Sequence, residues 1–240
     1  MKLSKRIHKL ADMVQPGETV ADIGTDHGYV PMLLIKNGIS PRAIMSDISE
    51  GSLSKAKETF RICELNVNES DFRLGDGLNT IDAGEADDVI IAGLGGYTIV
   101  EIIDSDIKKA RSFKKLILQP RKHSGFLRHY LYTHGWDIVE DTLAPEGKFQ
   151  CEIILASPSG IEEREAAYPQ NDIRWKYPEL MIESAAELAA KRIGWKIGSI
   201  KEQLCNMRAS GSKDSDLMNR LESDITYLRE LLIRINSNEM

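Results

Sequence analysis

The chain has 240 residues, of which 42% are apolar, so it is long and apolar enough to form a packed core. No apolar run approaches the length of a bilayer span, and the basic start of the chain lacks the apolar segment of a signal peptide. We therefore expect a cytoplasmic protein that does not enter the membrane. The three cysteines lie far apart and the five histidines have no zinc-type spacing, which indicates neither a disulfide framework nor a bound metal.

The charges are unevenly distributed. The formal net charge of −6 argues weakly against a nucleic-acid ligand. Within residues 107–130, however, there is no acidic residue, and the basic ones are Lys108, Lys109, Arg111, Lys114, Lys115, Arg121, Lys122 and Arg128. The start of the chain adds Lys2, Lys5, Arg6 and Lys9. These clusters predict either a polyanion-binding surface or solvated basic helix faces, and charge alone does not separate the two.

Helical and strand-like segments alternate through the first two-thirds of the chain. Apolar spacing predicts helices over residues 2–14, 30–37, 49–65, 97–107 and 124–134. Short apolar segments predict strands at 19–23, 43–47, 71–74, 88–92 and 115–119. This alternation indicates an α/β protein whose parallel sheet has helices on both faces. Segments 136–143 and 149–156, joined by the turn at 144–147, predict an antiparallel hairpin that finishes the sheet.

The last third of the chain has a different pattern. A linker at 157–160 precedes two apolar runs with helical spacing, separated by residues 209–213. The runs are Ile193, Ile197, Ile200, Leu204 and Met207, then Leu221, Ile225, Leu228, Leu232 and Ile235. They predict an antiparallel, coiled-coil-like helical hairpin. We therefore predict two domains, 1–160 and 161–240.

The loop after the first strand is the most informative motif. It reads Ala-Asp-Ile-Gly-Thr-Asp-His-Gly over residues 21–28 and precedes a helix. It lacks the G-x-G-x-x-G of dinucleotide sites, and its carboxylates Asp22 and Asp26 would repel a pyrophosphate. A cationic ligand fits these charges better, and S-adenosylmethionine carries an amino group and a sulfonium. The alternatives are an ordinary strand-to-helix turn and an NAD site.

Three further strand ends carry candidate ligand contacts. Asp47 closes the second strand, where a carboxylate can accept both ribose hydroxyls of either NAD or S-adenosylmethionine. Asp76 and Gly77 follow the third strand, where an aspartate can accept a hydrogen bond from an adenine amino group; an ordinary Asp-Gly turn is the alternative. Glycines 93, 95 and 96 follow the fourth strand, with no side-chain base among them. That fits an acceptor such as a ring nitrogen, which needs no deprotonation. A second phosphate-binding loop is the alternative.

Together these motifs resemble a known family. The segments 3–6, 20–28, 46–47, 73–78, 91–96 and 116–120 resemble the bacterial tRNA (adenine-N1)-methyltransferases that modify adenine 22, over about two-thirds of the chain. The resemblance implies a Rossmann-like class I methyltransferase domain followed by a helical coiled-coil domain, with S-adenosylmethionine as cofactor and tRNA as partner. It places in the cofactor site Asp22, Gly24, Asp26, Gly28, Asp47, Asp76, Gly77 and Gly93, to which we add Thr25 and His27 of the same loop. Residues 121–123, where relatives often carry Asn, depart from the pattern.

The acceptor side is predicted less directly. Asp26 is the candidate to stabilise the cationic product of N1 methylation, or else it only fixes the cofactor loop. Tyr97 could stack on a base or pack its helix. The other candidate substrate contacts are Gly95, Gly96, Lys5, Arg6, Lys9, Arg121, Lys122 and Arg128. The helical hairpin, with Lys191, Arg192 and Lys196, either grips tRNA or serves packing or dimerisation.

Other functions stay open at this stage. They are a methyltransferase acting on another RNA, a protein or a small molecule; a non-catalytic RNA-binding module; and an NAD-binding protein. We expect no metal and favour a monomer.

Overall fold

Seven strands form one mixed sheet in a computed structural model that describes residues 2–237. Position 1 and positions 238–240, at the ends of the two predicted domains, lie outside the described residues. The strands are β1 (Val20–Ile23), β2 (Ala43–Asp47), β3 (Phe72–Leu74), β4 (Asp88–Gly95), β5 (Lys115–Lys122), β6 (Trp136–Glu146) and β7 (Phe149–Pro158). Their order is β3-β2-β1-β4-β5-β7-β6. The first five are parallel, and β7 runs antiparallel to both β5 and β6.

Helices cover both faces of this sheet, as the alternating pattern predicts. They are α1 (Lys5–Asp12), α2 (Tyr29–Lys36), α3 (Glu50–Ile62), α4 (Gly96–Ser105), α5 (Ile107–Ala110) and α6 (Ser124–Thr133). Successive strand side chains point to opposite faces. Ala21 and Ile23 of β1 therefore share a core with α4 and α6, whereas Val20 shares one with α1 and α2. The predicted α/β fold with a terminal antiparallel hairpin is confirmed.

Several element boundaries differ from the sequence-based expectation. The glycine segment after position 92 is not a free loop, because β4 continues to Gly95 through a register shift between Ala92 and Leu94. The helix predicted over 97–107 is divided at Asp106, whose carboxylate accepts a hydrogen bond from the Lys109 N–H at 3.0 Å and caps α5. The hairpin strands extend until only residues 147 and 148 form the turn.

The C-terminal segment contains α7 (Ile173–Lys176), α8 (Glu179–Ser184), α9 (Ala186–Ala209) and α10 (Ser215–Ser237). The last two form the predicted helical hairpin. Of the predicted apolar positions, Met207, Leu232 and Ile235 are only partly buried, and Leu231 is buried although it was not predicted. Short helices α7 and α8 are absent from the prediction because each is too short to show a periodic pattern. Leu143 of β6 packs in the same apolar cluster as α8, α9 and α10. The domain boundary stays a prediction.

A buried ion cluster connects the sheet to this segment. The Arg128 side chain on α6 is only 1% exposed. Its guanidinium donates to both oxygens of Asp141 on β6, at 2.5 and 2.8 Å, and lies 2.8 Å from Glu152 on β7. It also donates to the Trp175 carbonyl on α7, and Glu152 in turn pairs with Arg192 of α9. The prediction that Arg128 contacts a phosphate is wrong, because the Arg128 guanidinium is buried and already paired with Asp141 and Glu152.

No helix within residues 2–237 combines the length and apolar composition needed to cross a bilayer. Among the same residues, no group of three or more His, Cys, Asp or Glu side chains is arranged to hold a metal ion. Cys63, Cys151 and Cys205 are free thiols.

Removing the Arg128 side chain tests the importance of this cluster. Arg128→Ala leaves two buried carboxylates short of a partner, so we expect it to lower the free energy of unfolding by about 3–5 kcal/mol in urea titrations. The matched control is Arg208→Ala, which breaks the exposed pair with Glu222 and should cost less than about 1 kcal/mol. Equal losses in the two variants would show that the buried cluster does not stabilise the fold.

Candidate active site

A cleft of about 620 Å³ opens at the carboxyl ends of the parallel strands, where open α/β sheets bind their ligands. The segments that follow β1, β2, β3 and β4 form most of its wall. This edge brings together nine of the ten predicted cofactor residues: Asp22, Gly24, Thr25, Asp26, His27, Asp47, Asp76, Gly77 and Gly93.

Gly28, the tenth, does not line the cleft. It precedes α2 in a left-handed conformation with φ +63°, and a Cβ there would lie 3.1 Å from the Cβ of Ala56 on α3. A glycine at this position allows α2 and α3 to approach closely. The structure thus gives Gly28 a role in helix packing rather than a place in the ligand cleft.

The loop between β1 and α2 is held by backbone hydrogen bonds. The N–H groups of Gly24 and Thr25 donate to the Ser46 carbonyl on β2 at 2.8 and 2.9 Å. Gly24 and Asp26 both have positive φ, 76° and 47°, which bends the chain back over the strand end. The loop is therefore fixed to β2 by main-chain bonds, whatever occupies the cleft.

Asp22 is the buried carboxylate of the cleft. Burial raises its pKa to about 6, and the negative charge of Asp47 acts in the same direction. A hydrogen bond from the Thr25 hydroxyl at 2.7 Å and the positive charge of Arg6 oppose this shift. A carboxylate with so little solvent is stabilised by any cation that enters beside it.

Asp47 and Asp26 are connected at the mouth of the cleft. Asp47 accepts hydrogen bonds from the N–H groups of Asp26 at 3.2 Å and Ser49 at 2.9 Å, which leaves acceptor sites on both oxygens. The Asp26 side chain is 56% exposed and accepts from the Lys55 ammonium at 2.9 Å. Its charge is therefore already partnered by protein and water.

Two apolar side chains of the cleft were missed by the sequence interpretation. Ile48 lines the cleft and is 74% exposed, which is unusual for a large apolar residue without a ligand. Ile102 of α4 lies across the same region, where a Cβ on Gly77 would approach it to 3.4 Å. An apolar residue directly after the strand-ending Asp47 was the available signal for Ile48. Glu101 also lines the cleft and gave no sequence signal, because it looks like any exposed helix residue.

The other end of the cleft is formed by Gly93, Leu94 and two guanidinium groups. Arg121 of β5 lies 3.8 Å from the point where Gly93 would carry a Cβ. Arg6 of α1 is ion-paired with Glu146, and its guanidinium lies 3.4 Å from the Gln119 side-chain oxygen. Arg6 and Arg121 are thus the predicted basic residues that face the cleft.

The other predicted substrate contacts lie outside the cleft lining. Gly95, Gly96 and Tyr97 adjoin it, as does Lys122 at the end of β5, while Lys5 lies on α1. Lys9 pairs with Glu140 at 2.6 Å. Lys114 and Lys115 pair with Glu18 at the amino end of the sheet, opposite the cleft.

The strand order, the antiparallel β7 and the carboxylates at the ends of β1 and β2 define a Rossmann-like methyltransferase fold. Comparison with known proteins agrees. A family model described as a methyltransferase domain matches residues 3–154. The tRNA (adenine(22)-N(1))-methyltransferase of Bacillus subtilis is 37% identical over 169 residues, which cover 70% of this chain and 69% of that protein. The chain therefore belongs to the methyltransferase family that includes this B. subtilis enzyme.

Solved structures share the fold along nearly the whole chain. The crystal structure of the B. subtilis M1A22 tRNA methyltransferase TrmK has a TM-score of 0.76 at 28% identity, covering 96% of this chain and 99% of that chain. The structure of M. capricolum TrmK in complex with S-adenosyl-homocysteine has a TM-score of 0.74 at 21% identity, covering 97% and 100%. The fold predicted by resemblance is confirmed over both the sheet and the C-terminal helices.

The raised pKa of Asp22 predicts a pH-dependent stability. Its carboxyl ionises near pH 6 in the folded chain and near 3.8 when unfolded, so the folded state binds its proton more tightly. Ionisation therefore costs stability progressively from about pH 4 to 6, reaching ~3 kcal/mol above that range. Asp22→Asn should raise the free energy of unfolding at about pH 8 by an appreciable part of this amount, and little at about pH 4.

The control is Asp76→Asn, the same substitution at an exposed position of the same cleft. It should change the free energy of unfolding by less than about 0.5 kcal/mol at either pH. A destabilised Asp22→Asn variant at both pH values would show that Asp22 serves packing rather than charge.

Proposed function

We propose that this chain transfers the methyl group of S-adenosylmethionine to N1 of adenine 22 in tRNA. The observation that carries the proposal is the cleft at the strand ends, where Asp22, Asp47 and Asp76 meet in a chain 37% identical to the B. subtilis enzyme of that activity. The charge and shape of the cleft are arguments for S-adenosylmethionine as the cofactor. The glycine-rich end of the cleft, formed by the end of β4, is an argument for adenine N1 as the acceptor.

The cofactor side fits S-adenosylmethionine in charge and in shape. Asp22 is desolvated and gains from a cation, which suits the amino group of the methionine part. Asp47 has free acceptor sites for ribose hydroxyls, and Asp76 can accept from an adenine amino group. Ile48 and Ile102 offer apolar surface to the adenine ring. When bound, S-adenosylmethionine supplies a methyl group activated by the positive charge on sulfur.

The acceptor side lacks a side-chain base where β4 meets α4. Gly93, Gly95 and Gly96 occupy that junction, which suits a nucleophile with a free lone pair such as adenine N1. The chain then has only to align the two reactants and exclude water. Asp26 forms a salt bridge with Lys55, and its own N–H donates to Asp47. Both contacts favour a loop-holding role for Asp26 over stabilisation of the product charge.

The basic residues around the cleft support an RNA substrate. Adenine N1 lies on the Watson–Crick edge, so a paired target must leave its helix before it can react. At this glycine-rich acceptor end of the cleft, Arg121 is the stronger candidate for the phosphates of the displaced nucleotide, because Arg6 is already paired with Glu146. On α9, Lys191 and Arg192 pair with Glu187 and Glu152, which leaves Lys196 as the stronger candidate for an RNA contact. A cytoplasmic location and a monomeric state stay predictions from the sequence.

The direct test is methyl transfer to defined tRNA. The purified protein is incubated with labelled S-adenosylmethionine and unmodified transcripts, which are then digested to nucleosides. We expect the label in 1-methyladenosine, and its loss when adenine 22 is replaced by guanine. Label in another nucleoside, or label that persists in the replaced transcript, would disprove the acceptor. No transfer to any tRNA would disprove the proposed function.

A substitution at Asp47 tests the cofactor assignment. Asp47→Asn keeps the shape and an acceptor oxygen but removes the charge that ribose hydroxyls would meet. We expect binding of S-adenosylhomocysteine, measured by calorimetry, to weaken by about 10- to 100-fold. Glu50→Gln on the first turn of α3 makes the same chemical change on an exposed residue outside the cleft lining and should leave the affinity unchanged. Equal affinities for Asp47→Asn and the unmodified protein would remove Asp47 from the cofactor site.

A further inference from the structure

Two loops beside the cleft are in direct backbone contact. At the start of α4, a Cβ on Gly96 would lie 2.5 Å from the carbonyl oxygen of His123, which precedes α6. No side chain fits in that space, so glycine at position 96 allows the end of β4 and the end of β5 to meet. This contact brings Tyr97 of α4 against His123, with ring centroids 4.3 Å apart and ring planes at 37°.

His123 has a positive φ, which is uncommon for residues other than glycine. Its φ is +60°, in the left-handed region where glycine is unstrained, yet its side chain is exposed. Burial in the core therefore does not account for a side chain at this position. Strain of this kind in an exposed loop beside a cleft is typical of a functional residue.

Tyr97 is supported from within the protein but remains accessible. The half-buried Phe126 of α6 packs on the core, and its ring centroid lies 4.4 Å from that of Tyr97. About half of the Tyr97 surface, 49%, is nevertheless exposed. Tyr97, His123 and Phe126 thus form an aromatic surface, here named the shelf, that packs against the protein on one side and is open to solvent on the other.

The shelf lies at the acceptor end of the cleft and among positive charges. Thr98, next to Tyr97, lines the cleft, as does Arg121. The Lys122 side chain approaches the Cβ position of Gly95 to 3.8 Å. Within residues 2–237, neither Arg121 nor Lys122 takes part in a salt bridge, so both cations are free for an anionic ligand.

We infer that the shelf binds a nucleobase next to the target adenine, with Arg121 and Lys122 on the adjoining phosphates. Stacking on Tyr97 and His123 would hold the neighbouring nucleotide out of its helix, and so keep the target base in the cleft. The base on the shelf is the neighbour rather than the target, because Tyr97 and His123 adjoin the cleft without lining it. The inference rests on the proposed function for its RNA substrate.

Two pairs of variants test the shelf. His123→Gly removes the ring and relieves the strained φ, so we expect a thermal midpoint equal to or above that of the unmodified protein. Its control is Glu64→Gly, which relieves a second positive φ, of 54°, at the exposed end of α3. Tyr97→Ala removes the supported ring, and Tyr97→Phe keeps a ring that can stack.

The readouts separate the shelf from the cofactor site and from the proposed reaction. They are affinity for S-adenosylhomocysteine, KM and kcat for unmodified tRNA, and fluorescence of tRNA carrying 2-aminopurine beside position 22. This fluorescence reports on stacking of the neighbouring base. We expect Tyr97→Ala and His123→Gly to raise KM for tRNA by about tenfold or more and to abolish the fluorescence change. Cofactor affinity stays constant in these variants, Tyr97→Phe retains the fluorescence change because its ring can still stack, and Glu64→Gly behaves as the unmodified protein.

Each outcome has a distinct meaning. If the unmodified protein methylates tRNA and the two ring-removing variants do so with unchanged KM and fluorescence, the shelf inference is overturned while the proposed function stands. If no methyl transfer occurs but the fluorescence change is present and lost in both variants, the shelf is supported and the proposed function fails. The absence of any fluorescence change with the unmodified protein overturns the shelf.

Discussion

The ion cluster around Arg128 joins the two halves of this chain. A guanidinium buried against β6 and β7 is tolerable only because Asp141 and Glu152 neutralise it, and those carboxylates in turn need it. Through the Trp175 carbonyl and Arg192, the same cluster reaches α7 and α9. The C-terminal helices are therefore anchored to the catalytic sheet by directional, mutually dependent contacts rather than by apolar packing alone.

The cleft shows the opposite use of a buried charge. Asp22 has a hydroxyl donor and the distant charge of Arg6 but no salt-bridge partner within residues 2–237, and its raised pKa records the cost of that burial. Such a cost is common where a protein keeps a site ready for a ligand of opposite charge. The backbone bonds from Gly24 and Thr25 to β2 hold the surrounding loop in place before any ligand arrives. The ionised Asp22 carboxylate thus lowers the stability of the fold without a ligand and favours the binding of a cationic one.

The sequence predicted the fold well, because alternating strands and helices are recorded in local apolar spacing and in glycines at strand ends. Nine of the ten residues that it proposed for the cofactor line the cleft, since parallel strands place their carboxyl ends at one edge. It failed at Arg128, which looks like a surface cation until Asp141 and Glu152 are brought to it by tertiary folding. For the same reason, the sequence did not show that Gly28 serves the packing of two helices or that Glu101 lines the cleft. The proximity of helices and the direction of a helix face are not local properties.

The contact between Gly96 and the His123 carbonyl also bears on how this family can vary. A larger residue at position 96 becomes acceptable only if the segment after β5 has already moved, and that movement would separate His123 from Tyr97. The two loops therefore constrain each other's evolution, and substitutions in them are epistatic. A lineage that altered its RNA preference at this end of the cleft would have to change both loops together, whereas the cofactor loop, attached to β2, could remain as it is.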